Sequence, residues 1–249
     1  MRRLGSCDLV RRLASAATWV GVVICCTPSF AADEWGGSAL LTSDYLVRGI
    51  SRTSHDPAAQ FEGHYAGPGG LIAGAFASNA RIDPNDPTDV ELSAYLGYAW
   101  SFAADWRGKV VASHYAYPWN NEGSNYNYDE LDFDLVFNGW LRFGLNYSPN
   151  SPRYLRAPYR KLYAASEKSA EVGLQRPIRG KLSVTAGVGY SVLSGPDSGG
   201  YTYWSIGGAY DWRSFSLAVS YVNTTAEAKA LFYNAAADSL FMGTVIWRF

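Results

Sequence analysis

The feature that most constrains this chain is a regular alternation of apolar and polar residues, repeated in twelve segments. In one of them, KLSVTAGVGYSVL at 181–193, apolar residues occupy every second position and polar or small residues lie between them. This period of two predicts β-strands with one apolar face and one polar face. The twelve segments begin near positions 38, 58, 70, 89, 107, 128, 140, 169, 181, 201, 214 and 239.

The connections between these segments alternate in length. They are short after even-numbered segments, as at Asn138-Gly139, a dipeptide that favours a two-residue hairpin turn. They are long after odd-numbered segments, as in RGISRTSHDP at 48–57. Transmembrane barrels combine short turns at one end with long loops at the other, and their strands need ~9–11 residues. We therefore predict an all-β fold, a closed antiparallel up-and-down transmembrane β-barrel of about twelve strands.

The N-terminal segment has the pattern of a secretory signal peptide. Two pairs of arginines precede an apolar stretch from Leu13 to Cys26 and a small-residue cleavage pattern that ends at Ala31. The apolar stretch is shorter than the ~20 residues of a spanning helix, which disfavours a transmembrane anchor. We predict that residues 1–31 are cleaved and that residues 32–249 form the barrel domain. All three cysteines precede this cleavage position, so the barrel domain has no disulfide and no cysteine ligand or nucleophile.

Composition disfavours an ordinary cytosolic enzyme. Aromatic residues make up 15% of the chain and charged residues 17%, whereas soluble domains carry about 25% charged residues. A soluble secreted β-sandwich lectin would explain the aromatic content but not the alternating loop lengths. Ser113 and His114 are neighbours on a predicted strand, so their side chains face opposite sides and cannot pair for catalysis. We predict no enzymatic activity, no cofactor, no metal site and no nucleic-acid binding.

The chain ends in LFMGTVIWRF, an alternating segment whose last residue is aromatic. In a closed barrel the last strand pairs with the first, which orders the chain to its final residue. We expect the apolar face of this strand to contact lipid and to act as the C-terminal signal that the barrel-assembly machinery reads. The residues on that face are Phe241, Val245, Trp247 and Phe249.

The stretch LTSDYLVRGISRTSHDPAAQ, from Leu41 to Gln60, resembles the opening of the TorF family of porin-like bacterial envelope proteins. The resemblance rests on TSDY, the following RG and S, and then DPA and Q. The segments GLIAGAFASNA, ELSAYLGYAW and HYAYPWNN are similar to the same family. The resemblance covers the chain after the signal peptide. It implies an outer-membrane barrel with pore activity in a Gram-negative bacterium, and it indicates no particular solute.

The predicted register assigns charged residues to the inward face of the barrel. We expect Asp44 and Arg48 to form a charge pair at the pore mouth; the alternative is that they fix the first loop and help to close the barrel. The other inward acidic residues are Glu62, Glu91, Glu130, Asp132, Asp134 and Glu171. The inward basic residues are Lys109, Arg142, Lys181 and Arg248. The acidic excess predicts a mild preference for cations, unless these charges pair across a plugged lumen.

We expect passive diffusion of small hydrophilic solutes or ions through a polar lumen. The expected partners are outer-membrane lipid, lipopolysaccharide and the barrel-assembly machinery. Basic residues of the fourth long loop are expected to fold into the lumen or to meet lipopolysaccharide phosphates: Arg153, Arg156, Arg160 and Lys161. The alternative is a non-conducting barrel for adhesion or envelope structure, because about eight strands fill their own interior and about 16–18 leave a channel. Inward glycines at 97, 144, 187 and 189 favour an open lumen, and inward tyrosines at 95 and 115 favour a tight one.

Overall fold

The computed structural model describes residues 34–81, 89–119, 126–154, 162–232 and 234–249, so the predicted signal peptide lies outside the described residues. Twelve antiparallel strands form a closed barrel, which confirms the predicted fold class. The barrel strands are β1 (Glu34–Thr42), β4 (Ala58–Ala66), β5 (Leu71–Ala80), β6 (Asp89–Ala103), β7 (Trp106–Ala116), β8 (Tyr128–Phe137), β9 (Leu141–Tyr154), β10 (Leu162–Arg179), β11 (Leu182–Leu193), β12 (Gly199–Trp212), β13 (Phe215–Thr224) and β14 (Leu240–Arg248). Between β1 and β4, a small separate hairpin consists of β2 (Leu46–Val47) and β3 (Ile50–Ser51).

The barrel closes between its first and last strands. β1 pairs with β4 on one side and with β14 on the other, where Leu41 lies opposite Val245. Gly37 and Phe249 exchange two backbone hydrogen bonds of 3.0 and 3.1 Å. Each barrel strand therefore has a partner on both sides, which satisfies the backbone groups as a lipid environment requires. The chain is ordered to its last residue by this pairing, as the sequence predicts.

Side chains alternate between the two faces of the wall in the predicted register. On β11, Val188 and Tyr190 are exposed on the outer face, whereas Ser183 and Ser191 are buried inside. Aromatic rings gather on the outer face near the short turns, where the ring centroids of Trp106 and its neighbour on β8 lie 4.9 Å apart. An apolar outer wall with aromatic rings near its rim is typical of membrane barrels.

The two ends of the barrel differ, and we call them the short-turn end and the long-loop end. At the short-turn end, Asn138 and Gly139 have positive φ angles of 48° and 71°, the left-handed pair that a tight hairpin needs. At the long-loop end, β9 and β10 extend further than predicted, because residues 151–153 pair with residues 163–165. The interpretation of these residues as loop was therefore wrong.

The first long loop folds into the barrel, and we call residues 44–53 the inward segment. Its hairpin turns at Arg48 and Gly49, which have positive φ angles of 51° and 77°. Leu46 packs against Val222 and Met242 on the inner wall. Ile50 belongs to a second buried cluster, which includes residues of the short helix α1 (Ala226–Leu231) from the last long loop. Among the described residues, no helix is long and apolar enough to cross a membrane.

Candidate functional site

The inward segment is anchored inside the barrel through Arg48. Its guanidinium donates hydrogen bonds to Ser169 Oγ at 3.0 Å, to Glu167 Oε1 at 3.2 Å and to Glu130. These partners lie on β8 and β10, so the bonds reach across the lumen. Burial lowers the pKa of Arg48, but the charges of Glu130 and Glu167 raise it well above its usual value, and the side chain stays cationic.

Asp44 does not pair with Arg48, so that sequence-based expectation is wrong. Asp44 is buried and accepts hydrogen bonds from Ser51 Oγ at 2.7 Å and Thr53 Oγ1 at 2.8 Å. Its other carboxylate oxygen lies 2.8 Å from His55 Nδ1. The expectation assumed that the first strand continues through both residues, whereas it ends before them. Asp44 therefore braces the inward segment, and Arg48 carries its contact to the opposite wall.

A second anchor joins the inward segment to Glu91 on β6. Glu91 is fully buried and accepts hydrogen bonds from Tyr45 Oη at 2.7 Å and from Tyr117. Tyr115 and Tyr128 stack with ring centroids 4.4 Å apart in the adjoining tyrosine cluster. Burial, reinforced by the charge of Glu91, raises the pKa of Tyr45 well above its usual value, so its phenol remains a donor. We call the inward segment and its carboxylate partners the mouth layer: residues 44–53 with Glu91, Glu130 and Glu167.

A second layer of charges, closer to the short-turn end, belongs to the strands alone. Asp134 accepts a hydrogen bond from Arg142 Nε at 2.7 Å, and its other oxygen lies 3.2 Å from Lys109 Nζ. Arg142 also donates to Glu171, which accepts from Tyr203 Oη at 3.0 Å. The side chains of Lys109 and Arg142 each keep 17% of their surface accessible, which leaves room for water beside them. We call this set the middle layer: Lys109, Asp134, Arg142 and Glu171.

Two further predicted acidic residues also lie inside the barrel. Glu62 on β4 accepts a hydrogen bond from Tyr95 Oη at 2.6 Å and lies 2.9 Å from His64 Nδ1. Asp132 on β8 accepts a hydrogen bond from Asn146 on β9. The structure thus brings the predicted inward acidic residues into one polar interior. Their contact with a solute stays a prediction.

The predicted basic residues outside the middle layer lie in different places. Arg248 lies at the inner wall, where it donates to Ser216 Oγ at 2.7 Å. Lys181 is exposed, and its assignment to the lumen was wrong because it follows Gly180 in the turn between β10 and β11. Arg153 is buried at the long-loop end with its guanidinium 4.6 Å from the ring centre of Phe232. The other basic residues of the fourth loop lie outside the described residues: Arg156, Arg160 and Lys161.

Sequence reasoning missed Glu167 and Ser169, two of the three partners of Arg48. The predicted eighth segment begins near Ser169, so Glu167 falls in the predicted loop before it. The run from Glu167 through Ser169 to Glu171 continues the same inward period of two, and this signal would have extended the strand. The pairing of residues 163–165 with β9 confirms that extension.

At two glycines of the wall, the space that a side chain would occupy is filled by a tyrosine ring. A Cβ atom at Gly189 would overlap the ring of Tyr203, and one at Gly74 would overlap the phenol of Tyr95. The use of Gly189 as a sign of an open lumen was therefore wrong. Tyr95 and Tyr203 both donate to lumen carboxylates, so the missing side chains let tyrosines approach the charged interior. The rings of Tyr95 and Tyr203 occupy the space that these glycines leave inside the wall.

The apolar residues of the last strand face outwards, as predicted. Phe241, Val245, Trp247 and Phe249 are exposed on the outer wall. The ring centroids of Trp247 and Phe249 lie 5.0 Å apart at the short-turn end. Their recognition by the barrel-assembly machinery stays a prediction.

Several solved porin structures are similar to this barrel. The NanC porin in a rhombohedral crystal form has a TM-score of 0.55 and 10% identity, over 86% of this chain and 98% of that chain. The KdgM porin has a TM-score of 0.51 and 9% identity, over 86% and 99%. The KdgM porin in complex with disordered oligogalacturonate has a TM-score of 0.50 and 10% identity, over 88% and 99%. At these identities the similarity concerns the fold alone.

No curated protein matches this chain in sequence. A family model described as "Bacterial protein of unknown function (Gcw_chp)" matches residues 33–248. The match includes the inward segment and all twelve barrel strands. The chain therefore belongs to the Gcw_chp family of bacterial proteins.

Proposed function

We propose that the protein is a porin-like channel of the bacterial outer membrane, through which small hydrophilic solutes or ions diffuse passively. One observation carries this proposal: the barrel has an apolar, aromatic outer wall and an interior rich in charged and hydroxyl groups. A soluble barrel would place its apolar residues inside, whereas a membrane channel needs the reverse arrangement. The similarity of the fold to the KdgM and NanC porins supports the same function.

The proposed location is the outer membrane of a Gram-negative bacterium, reached by export with a cleaved signal peptide at residues 1–31. The exposed apolar wall fits membrane lipid, and the outward C-terminal aromatic residues fit recognition by the barrel-assembly machinery. Lipopolysaccharide is the proposed partner at the long-loop end. The resemblance to the TorF porins supports this assignment, and the proposed activity involves no bond chemistry.

The inward segment is the proposed control point of the channel. Arg48 and Tyr45 occupy the long-loop end of the lumen and bind carboxylates on the opposite and adjoining walls. The middle layer leaves room for water beside Lys109 and Arg142. In this proposal, solutes pass the middle layer when the inward segment moves away from Glu130 and Glu167. The excess of acidic side chains in the lumen would favour cations.

A non-conducting barrel for adhesion or envelope structure is the second candidate. The burial of the mouth layer favours it, since Glu91 is fully buried and Asp44 and Arg48 are only 2% and 6% exposed. In that case the inward segment is a permanent plug, and its ion pairs stabilise the barrel. The two candidates differ in whether the mouth layer opens.

The test is the current through the purified, refolded protein in a planar lipid bilayer under a salt gradient. Discrete conductance steps are the result expected of a channel, and the sign of the reversal potential reports the preference for cations. A barrel that resists unfolding in detergent, inserts into the bilayer and carries no current would favour the non-conducting candidate.

A further inference from the structure

Three hydrogen-bond donors at the long-loop end of the lumen have no acceptor among the described residues. Nε of Arg52 and Oη of Tyr163 are buried atoms without a hydrogen-bond partner. The guanidinium of Arg153, a residue 8% exposed, makes no hydrogen bond or ion pair within the described chain and rests over the ring of Phe232. A buried donor left without an acceptor is costly, so the buried donors of Arg52 and Tyr163, together with a guanidinium that has no described acceptor, require an explanation.

These donors belong to one region of the lumen. Arg153 on β9 and Tyr163 on β10 are directly opposite each other in the strand register, so their side chains share the inner face. Arg52 lies on the inward segment, within electrostatic range of Arg153. The ring centre of Tyr128 lies 6.0 Å from the guanidinium of Arg52. An aromatic ring therefore lies beside each of the two arginines, and all three donors belong to the long-loop end of the lumen.

The nearby carboxylates moderate the charge of this region but do not serve as acceptors for it. The charge of Glu167 reaches Arg153 and Arg52, yet its oxygens already accept from Arg48, Ser191 and Ser151 at 3.2, 2.9 and 3.2 Å. The charge of Glu91 also reaches Arg52, but both of its oxygens accept from tyrosine hydroxyls. The third carboxylate of the mouth layer, on Glu130, accepts from Arg48. An acceptor for the three donors must therefore come from outside the described chain.

We propose that Arg52, Arg153 and Tyr163 form a binding site for the oxyanion group, a carboxylate or a phosphate, of a small solute at the mouth of the channel. Guanidinium groups bind such groups through paired, charge-assisted hydrogen bonds, and the phenol adds a third donor. The site rests on the proposed function in one respect, because it lies where a solute would enter the lumen. The site adds a substrate class to that function: small organic acids or phosphorylated solutes. Binding of such a solute at the mouth does not depend on whether the pore prefers cations or anions of a simple salt.

The test is calorimetric titration of the refolded full-length barrel, in non-ionic detergent, with sodium phosphate and separately with sodium acetate. Sodium chloride at equal ionic strength is the reference. We expect saturable binding of at least one oxyanion, and the stronger of the two identifies the chemical source. The double variant Arg52→Gln/Arg153→Gln should bind it at least about tenfold more weakly, because each removed guanidinium supplied charge-assisted hydrogen bonds.

The matched control is Lys181→Gln, which removes one exposed positive charge at the short-turn end and should leave binding unchanged. Tyr163→Phe removes only the phenol oxygen, and it serves as the second variant if the double variant does not fold; it should also weaken binding. The site would be overturned if neither oxyanion binds the folded barrel. It would also be overturned if Tyr163→Phe, and the double variant where it folds, bind the oxyanion as tightly as wild type does. The titration needs no current, so a barrel that binds phosphate and does not conduct would refute the channel and retain the site.

Discussion

The mouth layer and the middle layer are both buried charge clusters, but they are built from different parts of the chain. In the middle layer, Asp134, Arg142 and their partners all project from barrel strands that pair with their neighbours on both sides. In the mouth layer, the cation Arg48 comes from the inward segment, and the carboxylates Glu130 and Glu167 come from the wall. One cluster is fixed by the barrel, and the other depends on a segment that the barrel does not need for closure.

Under the proposed channel function, this difference predicts different tasks for the two layers. Removal of the segment would take Arg48 away and leave the strand ladder intact, because Thr42 and Ala58 already pair at the top of β1 and β4. The middle layer cannot be rearranged without disturbing the wall. We therefore expect mutations in the mouth layer to act on access to the lumen, and mutations in the middle layer to act on which ions pass.

The largest effect is expected from Arg48→Met. The substitution leaves Glu130 and Glu167 as uncompensated buried carboxylates, and breaking a buried ion pair in this way costs about 3–5 kcal/mol. The barrel strands do not depend on this contact, so the loss should appear as release of the inward segment. Limited trypsin digestion of the folded protein, followed by mass spectrometry, should show cleavage after Arg52 in the variant and protection in wild type.

Lys181→Met is the control for this experiment, because it removes an exposed cation far from the segment. It should leave Arg52 protected. Equal protection of Arg52 in wild type and Arg48→Met would contradict the role of Arg48 as the anchor.

A smaller effect is expected from Asp134→Asn in the middle layer. The variant keeps the shape of the side chain but removes the negative charge that faces Lys109 and Arg142. A hydrogen bond to a charged group contributes ~1.5–3 kcal/mol, so the free energy of unfolding should fall by about that amount. In a conducting barrel the reversal potential under a salt gradient should move towards anions, while trypsin should still fail to cut after Arg52. An unchanged reversal potential would mean that ions do not pass this layer.

The close approach of a glycine and a tyrosine can be tested with two matched substitutions. A Cβ at Gly189 would overlap the ring of Tyr203, whereas a Cβ at Gly63 would have no atom within 4 Å. Gly189→Ala should lower the free energy of unfolding by about 1–3 kcal/mol through overpacking. Gly63→Ala should leave it unchanged within about 0.5 kcal/mol. Thermal unfolding of both variants in detergent measures the difference, and equal values would show that the lumen has spare room beside Tyr203.

The smallest effect is expected at an ion pair that water reaches. Lys229 Nζ lies 2.8 Å from Asp238 in the last long loop, and the two side chains are 38% and 53% exposed. Exposed pairs of this kind contribute no more than about 1 kcal/mol. Lys229→Ala should therefore shift the thermal midpoint much less than Asp134→Asn, which breaks a buried pair of the barrel wall. An equal drop in the thermal midpoint of both variants would show that buried and exposed ion pairs contribute equally to stability.

The sequence predicted the features that depend on local pattern, and it did not predict those that depend on contacts between distant residues. The period of two placed all twelve barrel strands and their faces, because each residue alternates between lipid and lumen whatever its distant neighbours are. The position of the first loop depends on partners far away in the chain: Arg48 and Glu167 are 119 residues apart. No local signal specifies such a pair. The interpretation of Gly189 failed for the same reason, since its consequence depends on Tyr203 on the next strand.

In the proposed function, the inward segment closes the mouth of a polar channel. The most direct test replaces residues 44–53 with a short Gly-Ser linker and compares single-channel currents of wild type and variant in a planar bilayer. The pairing of β1 with β4 and β14 should keep the variant folded, which its resistance to unfolding in detergent can verify. We predict discrete steps with a conductance several-fold above that of wild type. A folded variant that conducts no better than wild type would contradict the claim.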